Sequence, residues 1–189
     1  MDEQIFYIKN MVCARCIMAV TKVFEDEGLT PVDVELGKAV IKGPAGEQQR
    51  NRIARSLHQL GFELLDDRSL QTIEQIKAAV IRLVHYKGNS TAVNLSNYIQ
   101  QELHQDYSAL SKLFSEYTSM TLELYYIEQR VERVKELLTY NELNITEIAL
   151  SMNYSSVAYL SAQFKSVTGM TPSQFRQISG NKRRELDRI

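Results

Sequence analysis

Two kinds of hydrophobic spacing alternate along the first third of the chain. Short runs rich in β-branched and aromatic residues predict strands, and apolar residues three or four positions apart predict helices. Gly37 lies in a tight turn between two strands, and Gly61 ends the second helix. The predicted strands are residues 4–9, 32–36, 39–42 and 62–65, and the predicted helices are residues 16–27 and 48–60. The resulting order is βαββαβ, which is the ferredoxin-like arrangement.

The hydrophobic pattern changes after residue 68. Residues 69–179 carry helical periodicity almost throughout, which predicts an all-α domain. We therefore expect an α+β protein, with a ferredoxin-like domain at residues 1–68 and a helical domain at residues 69–180. A locally basic tail follows at residues 181–189.

The helical part contains an internal repeat. Residues 94–121 align without gaps with residues 144–171, at an offset of 50. The identical pairs are Asn94/Asn144, Leu110/Leu160, Ser111/Ser161, Phe114/Phe164, Thr118/Thr168, Met120/Met170 and Thr121/Thr171. Each copy has the spacing of a helix, a short turn and a second helix, and Asn144 with Glu147 predicts a capping box. We expect the first helix of the second copy to end at Asn153, because asparagine tolerates a left-handed conformation. Two copies in one register favour a pair of helix-turn-helix units over an ordinary helical hairpin.

A long predicted helix joins the two copies. Residues 122–140 contain no proline or glycine, and their apolar positions are Leu124, Ile127, Val131, Val134 and Leu138. At 1.5 Å per residue this helix is roughly 27 Å long. A connector of this length suits two recognition helices held about one turn of DNA apart, near 34 Å.

Residues 69–177 resemble the DNA-binding domain of AraC/XylS-type transcription regulators, most closely in residues 145–177 (ITEIALSMNYSSVAYLSAQFKSVTGMTPSQFRQ). The resemblance implies a sequence-specific transcription regulator that binds double-stranded promoter DNA and works with RNA polymerase. The residues it implies as DNA-binding are Tyr107, Ser108, Ser111, Lys112, Ser155, Ser156, Val157, Ala158, Tyr159, Ala162 and Gln163.

The side chains in this set suit different contacts with DNA. Lys112 suits guanine acceptors or a phosphate, and Gln163 suits adenine or the backbone. Serines near helix N-termini suit phosphates, whereas Val157, Ala158 and Tyr159 suit thymine methyl groups.

The chain also departs from the family's pattern. Asn153 and Ser119 stand where its turns carry glycine, and Ala162 stands where a long polar side chain is common. We therefore expect base recognition by the second unit to be weak or to favour A·T pairs.

Both cysteines lie in the segment NMVCARC, residues 10–16, between the first predicted strand and the first predicted helix. Two thiolates at this spacing can bind one ion, and sulfur ligands favour Cu(I), Ag(I), Hg(II), Cd(II) or Zn(II) over hard cations. We expect Cys13 and Cys16 to be the metal ligands. Two sulfur ligands suit Cu(I), whereas Zn(II) requires four ligands. The position of Cys16 near a helix N-terminus, next to Arg15, predicts a stabilised thiolate.

Residues 5–67 resemble heavy-metal-associated domains, whose Met-x-Cys-x-x-Cys loop binds soft ions and here contains Met11. We expect Met11 to anchor the loop in the core and His58 to lie at the surface. Asn10 stands where these domains have glycine, and Phe62 replaces a polar residue or tyrosine.

Three interpretations of the cysteine pair stay open. The pair can sense a soft metal, it can sense thiol redox state, or the domain can serve assembly alone. An alternative for the whole chain is a metal carrier or thiol redox protein whose helical part docks a partner.

Composition limits the remaining classes of function. The 189 residues are 44% hydrophobic with a net charge of −1, and no apolar stretch approaches the roughly 20 residues that cross a bilayer. The N-terminus lacks a secretion signal, so we expect a cytoplasmic protein with reduced thiols and no membrane partner. The sequence contains no Gly-rich phosphate-binding loop and no evident nucleophile–base pair, so we do not expect an enzyme. An edge strand of the small sheet can pair with the same strand of a second copy, so the sequence is also compatible with a homodimer.

Overall fold

The computed structural model describes residues 3–86 and 94–178. The chain forms two compact units, Met1–Ala78 and Ala79–Ile189. The first contains a four-stranded antiparallel sheet with strand order β2-β3-β1-β4 and two helices inserted between strands, so the expected order of elements is confirmed. Its elements are β1 (Glu3–Lys9), α1 (Ala14–Asp26), β2 (Pro31–Glu35), β3 (Lys38–Lys42), α2 (Glu47–Gln59) and β4 (Glu63–Leu65).

The core of the first unit follows from the alternation along β1. Phe6 and Ile8 are buried, and the ring of Phe6 meets that of Phe24 on α1 edge to face, with centroids 5.2 Å apart. The β2–β3 turn is closed by Gly37, whose φ of +85° is easily reached only without a Cβ atom. These contacts hold the loop between β1 and α1 at one end of the sheet.

Helix α3 (Arg68–Ile81) continues directly from the sheet. The amide of Gln71 donates to the carbonyl of Leu65 in β4 at 2.9 Å, and Ile73 and Ile76 are buried. The sequence-based boundary at residue 68 falls at the first residue of α3, whereas the first compact unit extends to Ala78.

The described part of the second unit is helical, as the periodicity predicts. A π-helical segment (Arg82–Tyr86) follows α3. The remaining helices are α4 (Leu95–Leu103), α5 (Tyr107–Thr118), α6 (Leu122–Tyr140), α7 (Ile145–Ser151), α8 (Val157–Thr168) and α9 (Pro172–Gln177). The predicted basic tail at residues 181–189 lies outside the described residues.

The connecting helix α6 has the predicted length but a different buried face. Val131, Val134 and Leu138 are buried as expected, whereas Leu124 is 41% exposed and Ile127 is half-buried. Leu122 and Tyr125 take the inner positions instead. Leu124 lies outside the buried stripe, because at 100° per residue a stripe that begins at Leu122 turns Leu124 outwards.

Candidate DNA interface and cysteine site

The first helix-turn-helix unit consists of α4, a three-residue turn and α5. Asn94 caps α4 by accepting a hydrogen bond from the backbone N–H of Ser96, and Asp106 caps α5 by accepting one from Ala109. Helix α4 ends at His104, which has a left-handed φ of 54° and donates its N–H to the carbonyl of Gln100. This single bond is the αL type of helix ending.

The predicted DNA-binding residues of this unit lie on α5. Ser108 and Lys112 are exposed, and Ser111 is half-buried. The Lys112 ammonium lies 3.9 Å from the Glu116 carboxylate, with 79% of the Lys112 side chain exposed. Both side chains are mobile enough in water for this pair to contribute little. Lys112 is therefore available to an outside acceptor.

Tyr107 is bound to the connecting helix. Its hydroxyl donates to the carboxylate of Glu123 on α6 at 2.6 Å. Burial and the neighbouring carboxylate raise the pKa of Tyr107, and the same hydrogen bond lowers the pKa of Glu123. The bond ties the beginning of α5 to α6.

The second unit consists of α7, a longer turn and α8. The predicted capping box of Asn144 and Glu147 is present. Helix α7 ends with two hydrogen bonds, from the N–H of Asn153 to the carbonyl of Leu150 and from that of Tyr154 to the carbonyl of Ala149. This is the Schellman ending, with Asn153 in the left-handed position at φ 49°. The predicted left-handed role of Asn153 is confirmed.

The predicted DNA-binding residues of the second unit form a mostly exposed surface at the beginning of α8. Ser156 caps the helix by accepting from the N–H of Tyr159 at 3.0 Å. The exposed members of the set are Ser155, Ser156, Val157, Ala158, Tyr159 and Ala162. Gln163 is half-buried. None of these seven side chains carries a charge.

A cluster around Arg130 supports this surface, and sequence reasoning did not identify it. The guanidinium of Arg130 on α6 lies 3.8 Å from the centroid of the Tyr154 ring and donates to the carbonyl of Met152 at 2.6 Å. The hydroxyl of Tyr154 donates to Oε1 of Gln163 at 2.8 Å. Burial raises the pKa of Tyr154 to about 12. A polar residue in the middle of a predicted amphipathic helix was the available signal for Arg130.

The cysteine pair lies where β1 meets α1. Cys13 is the N-cap residue of α1 and Cys16 lies in its first turn, with their sulfur atoms 3.5 Å apart. Both thiols are free and partly exposed. Within residues 3–86 and 94–178, no group of three or more His, Cys, Asp and Glu side chains is arranged to hold a metal. A metal at this site would therefore take two sulfur ligands from this chain.

Buried side chains and one hydrogen bond hold the loop around the cysteines in place. Met11 is buried, as predicted, and so is Phe62. Asn10 has a φ of 71°, the conformation that glycine adopts most easily, and its side-chain amide donates to the carbonyl of Gly61 at 3.0 Å. Asparagine thus adopts here the left-handed backbone conformation that a glycine would adopt without strain. His58 is exposed, as expected.

The expected stabilisation of the Cys16 thiolate is wrong for this structure. Burial raises the pKa of Cys16, and the adjacent Cys13 raises it further, whereas a backbone hydrogen bond at Val12 lowers it. Burial is the largest of these causes, so the net effect is a raised pKa.

No helix in the described residues is long and apolar enough to cross a lipid bilayer.

Residues 99–178 match the family described as "Helix-turn-helix domain". An HTH-type transcriptional regulator of Staphylococcus aureus is 31% identical over 152 residues, which cover 68% of this chain and 20% of that protein. The Msm operon regulatory protein of Streptococcus mutans is 29% identical over 129 residues, which cover 64% of this chain and 45% of that protein. The chain thus spans between a fifth and a half of the length of these relatives.

Two solved structures are also similar. The C-terminal domain of AraT, a response regulator from Geobacillus stearothermophilus, is 23% identical, with a TM-score of 0.49 over 61% of this chain and 94% of that domain. A DNA-binding transcriptional dual regulator from Escherichia coli K-12 is 24% identical, with a TM-score of 0.47 over 55% of this chain and 90% of that chain. The sequence match over residues 99–178 carries the conclusion: this part of the chain is similar to the helix-turn-helix domain family.

Proposed function

We propose that the protein is a sequence-specific transcription regulator that binds promoter DNA through α5 and α8 and works with RNA polymerase. The observation that carries this proposal is the presence of two helix-turn-helix units on one chain, joined by the 19-residue helix α6. The helix-turn-helix match over residues 99–178 supports it.

The charges on the two recognition helices define how each would contact DNA. On α5, Lys112 offers a cation to a phosphate or guanine. The predicted contact residues of α8 are uncharged, so this helix would act through hydrogen bonds and apolar contacts. We therefore expect a modest salt dependence of binding, because few phosphate charges are neutralised.

The N-terminal unit is proposed to be a ferredoxin-like sensor, similar to heavy-metal-associated domains, that binds a soft metal such as Cu(I). Two sulfur atoms 3.5 Å apart, on a loop held by Met11 and Asn10, fit an ion that accepts two thiolates. Zn(II) suits the pair less well, because it requires four ligands and the described part of the chain brings no third His, Cys, Asp or Glu side chain to the two sulfurs. The protein's part is to present both sulfurs on one side of the loop.

Control of DNA binding by this loop requires that the occupied and free states differ in their DNA-competent population. Cys13 is both a candidate ligand and the N-cap residue of α1. An ion or a modification at its sulfur would therefore lie at the beginning of that helix. Thiol oxidation at the same pair is the second candidate for the signal, and the short distance between the sulfurs favours it equally.

The test is DNA binding by the full chain, measured by gel shift on the promoter of its own operon with and without Cu(I). Cys13→Ser/Cys16→Ser is the test variant, and His58→Ala is the matched control on an exposed ligand-type residue. We expect Cu(I) to change the affinity of the wild type and of His58→Ala but not that of the double variant. An absence of DNA binding under every condition would contradict the proposed function.

The metal itself is tested separately by titrating the reduced apo protein with Cu(I) against a chelator. We expect one ion per chain, lost in the double serine variant. DNA binding that responds to oxidant but not to Cu(I) would replace metal sensing by thiol sensing. Binding that ignores both signals would leave the N-terminal unit a role in assembly only.

A further inference from the structure

The amide of Gln163 is bound to the protein on one side only. Its Oε1 atom accepts the hydrogen bond from the Tyr154 hydroxyl at 2.8 Å. Its Nε2 atom makes no hydrogen bond to any residue in the described parts of the chain. The half-buried side chain lies beside the exposed residues Tyr159 and Ala162 along an open groove. The amide nitrogen is thus the polar group that remains for an outside partner.

Tyr154 is held firmly enough to orient this amide. The Schellman ending of α7 turns Tyr154 inwards, where its side chain is only 6% exposed. The guanidinium of Arg130 covers one face of the ring at 3.8 Å, and Tyr159 contacts it with centroids 6.0 Å apart. With a pKa of about 12, the hydroxyl keeps its proton at neutral pH and acts as the donor.

The fixed amide changes which base Gln163 suits. A glutamine that recognises adenine uses both ends of its amide, since Oε1 accepts from the adenine N6 amino group while Nε2 donates to N7. In this protein Oε1 is directed towards Tyr154. Guanine presents two acceptors, O6 and N7, in the major groove, and the two N–H groups of Nε2 match them.

We propose that Tyr154 is a specificity-determining residue that sets the orientation of the Gln163 amide and directs this position of α8 to guanine rather than to adenine. The proposal rests on the proposed DNA binding by α8. Tyr154 itself acts through Gln163 and is a positioning residue.

The first helix-turn-helix unit lacks this arrangement. At the offset of 50, Tyr154 corresponds to His104 and Gln163 corresponds to Leu113. His104 is exposed at the αL ending of α4, and a leucine has no amide to orient. The effect should therefore be confined to the half of the operator that α8 contacts.

The experiment begins with selection of bound sequences from a random duplex pool by the full-length wild type and by Gln163→Leu. The base pair at which Gln163→Leu loses preference is the one that Gln163 contacts. Affinities are then measured for four duplexes that differ only at this pair. We expect the wild type to favour guanine over adenine by about tenfold, and Tyr154→Phe to reduce that ratio by about tenfold.

Tyr126→Phe is the matched control, because it removes a hydroxyl from the other tyrosine that Arg130 covers, at 5.5 Å, without touching Gln163. We expect its guanine-to-adenine ratio to equal that of the wild type. Gln163→Glu provides a second test if Tyr154→Phe unfolds, since a carboxylate only accepts hydrogen bonds and should turn the preference towards cytosine.

The proposal is overturned if the wild type prefers adenine at this pair, or if a folded Tyr154→Phe keeps the wild-type ratio. It is also overturned if Gln163→Leu or Gln163→Glu leaves the preference unchanged. A wild type that enriches no sequence at all contradicts the proposed function itself, which is a different result from enrichment with an unaltered ratio.

Discussion

The two helix-turn-helix units share a register of 50 residues, yet they end their first helices differently. Helix α4 ends with the αL motif at His104, and α7 ends two residues earlier in register, with the Schellman motif at Asn153. The equivalent residues His104 and Tyr154 consequently lie in different environments, one exposed and one buried. A local difference in one turn thus decides whether an aromatic hydroxyl reaches the second helix of the unit.

The connecting helix contacts each unit through a different kind of bond. In the first unit, Glu123 accepts a hydrogen bond from Tyr107, the first residue of α5. In the second unit, Arg130 covers Tyr154 and binds the carbonyl that ends α7. The first contact depends on a carboxylate and the second on a guanidinium. Substitutions at these contacts and changes of pH should therefore affect the two helix-turn-helix units differently. Substitutions at equivalent core positions should affect both units alike.

The largest effects should be equal in the two units. Phe114 and Phe164 are equivalent and fully buried, and each ring contacts a partner, Tyr125 at 5.3 Å and Phe175 at 5.6 Å. We expect Phe114→Ala and Phe164→Ala each to lower the free energy of unfolding by about 3–5 kcal/mol, because each leaves a cavity. Urea unfolding of the two variants measures this. A difference of more than about 2 kcal/mol between them would show that the repeat does not extend to the core.

Replacement of Arg130 should destabilise the second helix-turn-helix unit and leave the first one unchanged. Arg130→Met removes the hydrogen bond to Met152 and the contact with the Tyr154 ring, so we expect a loss of about 2 kcal/mol. Hydrogen exchange should show faster opening of α7 and α8, with α4 and α5 unaffected. Arg130→Lys keeps the charge without the planar group, so its stability should lie between that of the wild type and that of Arg130→Met. Equal acceleration in both units would contradict the assignment.

The N-caps of α5 and α8 should differ only in their response to salt. Asp106 and Ser156 are equivalent, and each accepts a backbone hydrogen bond at 3.0 Å. We expect Asp106→Ala and Ser156→Ala each to cost about 1 kcal/mol in thermal unfolding. Because only Asp106 adds a negative charge to a helix N-terminus, its effect should shrink at high salt while that of Ser156 stays constant.

The smallest expected effect is a pH dependence of stability that is confined to the first helix-turn-helix unit. The hydrogen bond from Tyr107 lowers the pKa of Glu123, so ionised Glu123 stabilises the folded state. This contribution is present above the ordinary carboxyl pKa of 4.5 and is lost as the pH falls through the lowered value. Tyr107→Phe should raise the pKa of Glu123, which a nuclear magnetic resonance titration of its carboxyl carbon measures.

The second unit offers the control for this titration. The equivalents of Tyr107 and Glu123 are Val157 and Ser173, which have no acidic group. Val157→Ala should therefore leave the pKa of Glu123 at its wild-type value. A pKa that is the same in the wild type and Tyr107→Phe would mean that the hydrogen bond does not persist in solution.

Sequence reasoning was reliable where the signal is local. The capping box at Asn144, the left-handed Asn153 and the bounds of α6 all depend on residues within one or two turns of each other. It failed where neighbours distant in sequence decide the outcome. Leu124 has the right spacing for a core position but lies outside the buried stripe, and the raised pKa of Cys16 reflects burial that a helix-terminus argument omits.

Buried polar groups were the least predictable part of the chain. Glu132 and Lys135 are both buried on α6 and bind each other at 2.6 Å, although the charge of each predicts an exposed position. Arg130 and Tyr154 are 24 positions apart, and no periodicity links them. Pairs of this kind become visible only when the helices are packed.

Periodicity, capping residues and the internal repeat were thus sufficient for the order of elements, the paired helix-turn-helix units and the place of the two cysteines. These features depend on hydrophobic spacing and on backbone groups that find partners nearby in the chain. Tertiary structure alone decided the face of α6 that is buried and the direction of the Gln163 amide. Both depend on which side chains from separate helices come within hydrogen-bond or van der Waals distance, and that information is carried by packing.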